Sequence, residues 1–153
     1  MIYCFIVFIQ ETIDLEKQLR VSHKQKEKGM HFKLGKNVLI TEKPSVAMEF
    51  AKVLKINTKR QNGYMESENW IITWCVGHLV TMSYPEKYDE KLKFWRLDTL
   101  PFMPKEYKYE VISNVQNQFN IIKGILTRED VEVIYVATDS GREGEYIYRL
   151  VDQ

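Results

Sequence analysis

Net charge is almost absent from this chain. Its 153 residues carry 22 Lys and Arg against 21 Asp and Glu, a balance of +1. Global charge therefore names no partner, and any contact with a polyanion must use a local patch. Cysteine is scarce: Cys4 and Cys75 lie far apart, with no CxxC and no Cys/His cluster at zinc spacing. This excludes a structural zinc site and argues against a disulfide framework. A reducing cytoplasm is the simplest setting, and Cys75, within an apolar strand pattern, reads as core filler. Long hydrophobic runs are missing too. MIYCFIVFI at 1–9 is too short to span a bilayer, and it lacks the positive n-region and small-residue cleavage site of a secretory signal. No internal repeat and no low-complexity tract is present.

Residues 15–36 hold nine Lys, Arg or His. A basic tail for nucleic acid or membrane is one reading. The other is an N-terminal extension over 1–35 that is disordered or not native, with Met30 a candidate true start, and the compositional break after it favours this reading.

What remains suits one domain over 36–153 with a sizeable core, at 44% hydrophobic and 28% charged residues. Asn37-Val38-Leu39-Ile40-Thr41 predicts a strand buried on both faces. Pro44 holds Lys43 extended. Ser45 is the expected N-cap of a helix over 46–55 that buries Val46, Phe50, Val53 and Leu54. Residues 63–66 and 70–76 read as a hairpin across Ser67-Glu68-Asn69. Residues 80–110 show no sustained period and read as a long connection packed down by its aromatics. Ile112, Val115, Phe119, Ile122 and Leu126 predict an amphipathic helix over 111–127. A strand at 131–138 follows, then a helix from about 141 with Ile147, Leu150 and Val151 as its apolar stripe. The order β-α-β-β-loop-α-β-α predicts an α/β fold, a mostly parallel sheet flanked by helices. No strand follows the last helix, so the sheet is expected to lack its final strand and the helix stripe to lie exposed.

Chemistry concentrates at strand ends. Asp139-Ser140-Gly141-Arg142-Glu143-Gly144-Glu145 places three carboxylates, one guanidinium and two glycines at a strand-to-helix junction. Glu42 ends the first strand. In an open α/β sheet, ligands collect beyond the carboxyl ends of the strands. If these strands are parallel neighbours, Glu42 and Asp139 share one edge and can share a Mg²⁺, which prefers oxygen ligands. Glu143, four residues on, points back toward that edge, and Arg142 can meet a phosphate. Each residue also has an ordinary reading. Acidic residues complement a helix start, Glu42 suits a turn, and Lys43 suits a solvated surface. His78 after Gly77 suits a hydrogen-bonded loop, and Gly141 and Gly144 suit turn and helix packing.

Together, Thr41-Glu42-Lys43-Pro44-Ser45-Val46-Ala47, Gly77-His78-Leu79 and Ala137-Thr138-Asp139-Ser140-Gly141-Arg142-Glu143-Gly144-Glu145 resemble the amino-terminal TOPRIM domain of type IA DNA topoisomerases. The topoisomerase III branch is the most similar, supported by Trp95-Arg96-Leu97-Asp98-Thr99-Leu100-Pro101-Phe102-Met103-Pro104. The resemblance covers about 36–151 and implies a Rossmann-like sheet. It also implies ATP-independent passage of single-stranded DNA through a tyrosyl-phosphate intermediate. Carried onto this chain, it implies catalytic roles for Glu42, Lys43 and Arg142, with Glu42 as acid/base at the 3′-oxygen. Mg²⁺ would be held by Glu42, Asp139 and Glu143, and DNA by Lys43, His78 and Arg142. Many members carry DxD where this chain has Gly141, which removes one carboxylate. None of the nine tyrosines matches the family nucleophile, so the chain is expected to be a cytoplasmic fragment, inactive alone. A free-standing Mg²⁺ and nucleic-acid-binding module and a TOPRIM nuclease or primase piece are the alternatives.

Overall fold

The computed structural model describes residues 35–94 and 96–153. The reading of 1–35 as an extension thus lies outside the described residues, save for Gly35, and so does Trp95. Seven strands are described. In chain order they are β1 (Lys36–Thr41), β2 (Lys59–Arg60), β3 (Tyr64–Glu66), β4 (Trp70–Trp74), β5 (Val80–Met82), β6 (Tyr109–Val111) and β7 (Val131–Ala137). Five of them form the main sheet, in the order β2-β3-β4-β1-β7. β1 runs parallel to both β4 and β7. β3 pairs antiparallel with β2 and β4, which confirms the hairpin across 67–69. Among the described residues, β7 forms one edge.

Residues 38–41 of β1 and all of β4 are buried, as expected of strands covered on both sides. One face carries Leu39, Trp70, Ile72 and Trp74 against Ala47 and Phe50 of helix α1 (Pro44–Val53). The other carries Val38, Ile40 and Ile71 against helices α2 (Gln116–Leu126) and α3 (Arg142–Asp152). The architecture is therefore a mostly parallel Rossmann-like sheet between helical layers. No helix among the described residues is long and apolar enough to cross a membrane.

Several expectations need correction. Ser45 does not cap α1; Lys43 does, in extended geometry and without a side-chain bond. Pro44 takes the first helical position because its missing N–H is one that needs no intrahelical partner. Val53 is exposed, since Ala47 and Phe50 set the buried face and the helix ends there. The helix expected from 111 starts at Gln116, because the Ile112 N–H donates to the Leu79 carbonyl at 2.9 Å. That bond belongs to a second sheet inside the stretch read as a connection. There, β5 and β6 pair antiparallel, and short 3-10 turns at Pro85–Lys87, Glu90–Lys93 and Leu97–Thr99 lie between them. The α3 stripe is not exposed: Ile147, Leu150 and Val151 are buried among Leu79, Val80 and Ile122.

Candidate metal and phosphate site

The site begins where β1 ends. Thr41 lies opposite Ala137 in the parallel register, so Glu42 and Asp139 both follow the carboxyl ends of neighbouring strands. The β1 end is pinned from two sides. The Cys75 N–H donates to the Thr41 carbonyl at 2.7 Å. The Thr41 hydroxyl, fully buried, donates to the Lys43 carbonyl at 3.0 Å. Glu42 thus leaves a rigid strand on a fixed backbone, with its side chain 16% exposed and Lys43 Nζ at 3.3 Å. Near it lies the buried thiol of Cys75. Burial first, and then the Glu42 charge, push that thiol up to about 12.

The second half of the site is the junction of β7 and α3. Gly141 caps α3 in extended conformation, without a side-chain cap bond. A Cβ on Gly141 would meet nothing within 4 Å. Gly144 is the opposite case, because its Cβ would overlap the backbone of Asp139. The first turn of α3 therefore closes directly onto Asp139, which only a glycine permits. Asp139, Arg142 and Glu143 all face solvent there.

The third element is the loop after β4. Gly77 takes a left-handed φ of +86° and turns the chain so that His78 approaches α3. His78 Nε2 lies 3.4 Å from Glu143 Oε1, and its ring meets that of Tyr146 edge-on at 6.0 Å.

The structure thus places Glu42 with Lys43, and His78 with Glu143, along one edge of the sheet. It does not gather a ready metal cage: among the described residues, no group of three His, Cys, Asp or Glu could hold an ion. Sequence reasoning missed three supporting residues. Thr41 holds the Glu42-Lys43 turn, Cys75 lies close to Glu42, and Tyr146 flanks His78. Only Tyr146 had a signal, its helical spacing of three from Glu143.

The donor set nonetheless suits a hard cation. Mg²⁺ is commonly bound by one or two carboxylates, with water and substrate phosphate completing its shell. Glu42 and Asp139, which follow adjacent strand ends, are carboxylates of that kind, whereas Glu143 is engaged with His78.

The Toprim domain family model matches residues 37–152. DNA topoisomerase 3 of Bacillus thuringiensis strain Al Hakam is 50% identical over 118 residues, which are 77% of this chain and 16% of that protein. DNA topoisomerase 3 of Bacillus subtilis strain 168 is 47% identical over 118 residues, again 77% and 16%. That of Staphylococcus aureus strain USA300 is 48% identical over 116 residues, 76% and 16%. The chain thus spans about a sixth of the length of the curated relatives it matches.

Proposed function

This chain belongs to the Toprim domain family, and on that premise we propose that it is the metal- and DNA-binding part of a type IA DNA topoisomerase. The observation that carries the proposal is the parallel register of β1 with β7, which puts Glu42 and Asp139 past neighbouring strand ends. In this reading, Glu42 and Asp139 hold Mg²⁺, and Glu143 joins when it leaves His78. A bound Mg²⁺ there would neutralise phosphate charge.

The other roles belong to the protein's own side chains. Lys43, exposed beside Glu42, binds a phosphate oxygen, and Arg142 at the start of α3 binds another. Glu42 holds or gives the proton at the 3′-oxygen of the broken strand. His78 steers Glu143 and the adjoining strand. The tyrosyl link and strand passage belong to the whole enzyme, of which this chain is the Toprim part. In this reading the Toprim part contributes binding of single-stranded DNA.

Fluorescence anisotropy with a labelled oligonucleotide tests this reading. Binding by the wild-type chain should strengthen with Mg²⁺, and Asp139→Ala and Glu42→Ala should remove the metal effect. Equal binding with Mg²⁺ and with EDTA would refute it.

A further inference from the structure

The β5–β6 ribbon leaves the candidate site directly, since β5 starts two residues after His78. Its pairing runs past the regular strands. Met82 lies opposite Tyr109, and the Ser83 N–H donates to the Lys108 carbonyl at 2.8 Å; the same register carried one residue further brings Tyr84 opposite Tyr107. Side chains alternate across a ribbon, so Met82, Tyr84, Tyr107 and Tyr109 share one face. Val80 and Val111 begin that face and pack into the core beside Ile147 and Leu150 of α3. Beyond them the face opens to solvent. Met82 is 45% exposed, Tyr84 66%, Tyr107 56% and Tyr109 42%.

The opposite face is occupied. The Lys108 N–H donates to the Tyr88 hydroxyl at 2.5 Å. The Lys108 ammonium sits 5.1 Å from the Tyr88 ring centre, and Phe102 meets that ring edge-on. Glu110, on the same side as Lys108, lies 4.0 Å from Lys87. Among the described residues, the fold therefore covers one face of the ribbon and leaves three phenol rings uncovered on the other.

We propose that this face is a base-stacking platform for the single-stranded DNA whose phosphate lies at the Glu42–Asp139 edge. The inference rests on the functional reading above and extends it to the bases. Aromatic rings accept any base by its π-face, at a cost of about 1–3 kcal/mol per base when removed. Placement favours the same strand, because the ribbon leads away from His78. From His78 to Tyr84 the chain rises roughly 20 Å at strand geometry, a span of several nucleotides.

Anisotropy of labelled (dT)12 in Mg²⁺ tests the platform, with a 12-mer of abasic sites as the phosphate-only control. Tyr84→Ala and Tyr107→Ala should each weaken (dT)12 binding about 5-fold or more. The phenylalanine variants at both positions should bind as wild type, and abasic binding should be unchanged by all four. If the alanine variants hold (dT)12 as wild type does while Asp139→Ala loses the metal effect, the platform is refuted and the site stands. If the tyrosines matter but Asp139 and Mg²⁺ do not, the platform stands and the site reading fails. Altered sedimentation of the alanine variants with unchanged (dT)12 binding would make the face a contact between copies and overturn the inference. No binding of (dT)12 by the wild-type chain would refute both.

Discussion

Gly144 has no room for a side chain because the backbone of Asp139 occupies the place its Cβ would take. The close approach ties the first turn of α3 to the end of β7, and so fixes where Asp139 leaves the sheet. Gly144→Ala should lower stability by about 1–2 kcal/mol, the strain of overpacking exceeding the gain in helix propensity. Gly124, in the last turn of α2 with nothing near its Cβ position, supplies the control: Gly124→Ala should raise stability by about 0.5 kcal/mol. Thermal unfolding of both variants checks the pair, and Gly144→Ala should also weaken the Mg²⁺ effect on DNA binding.

Gly141 is open where Gly144 is closed. Its backbone has the extended geometry of an N-cap, and no atom lies within 4 Å of a Cβ built there. Gly141→Asp should therefore fold without strain and add a carboxylate at the same edge. It should tighten Mg²⁺ binding, read by isothermal titration, and raise stability by a few tenths of a kcal/mol, about what an Asp cap adds over glycine. A loss of stability would show that the turn does need glycine.

At the opposite end of the sheet, four charges form one network. Lys36 Nζ lies 2.6 Å from Glu66, and Arg128 bridges Glu66 at 3.0 Å and Asp130 at 2.7 Å. Burial acts against the Glu66 charge, but hydrogen bonds from Lys36 and Arg128 outweigh it and hold the carboxyl below its ordinary range. The hydrogen bond from Arg128 holds Asp130 low as well. A depressed carboxyl contributes stability that is complete above its unfolded value, about 4, and lost as pH falls through the lower folded value. Acid unfolding should thus steepen below about pH 4. Glu66→Gln should flatten that limb while costing on the order of 1 kcal/mol at neutral pH, since the pairs are partly exposed.

Cys75 carries the mirror-image prediction. Burial chiefly, and then the Glu42 charge, raise its thiol to about 12 from an ordinary value of 9.0. Its contribution to stability is complete below pH 9 and is lost as pH rises toward 12, because the unfolded thiol ionises first. Cys75→Ala should flatten the alkaline limb of a stability–pH curve. In the native protein, iodoacetamide should label Cys75 only as fast as the chain unfolds.

The elements that were legible in the sequence are those with strong local periodicity. The β1 run, the hairpin across 67–69, the β7 run and the α3 stripe each carry their own pattern, and each forms near the expected place. The β5–β6 ribbon was hidden because its strands are three residues each and lie almost thirty residues apart. Nothing local marks such a pairing. Ile112 shows the same limit, since it continues the helical spacing of α2 yet is held by Leu79 in the ribbon. The misjudged exposure of Ile147 has a similar origin: burial of the α3 stripe depends on α2 and on residues 79 and 80, which its own segment does not reveal.

The sequence by itself determined the family, the buried central strands and which acidic and basic residues stand at strand ends. These follow from side-chain chemistry and short-range spacing, which a linear chain records directly. Only the tertiary structure decided that β1 and β7 are parallel neighbours, that His78 meets Glu143, and that Met82 lies opposite Tyr109 on a solvent-exposed ribbon. Those relations join segments far apart along the chain, and their geometry exists only once the core has closed between them.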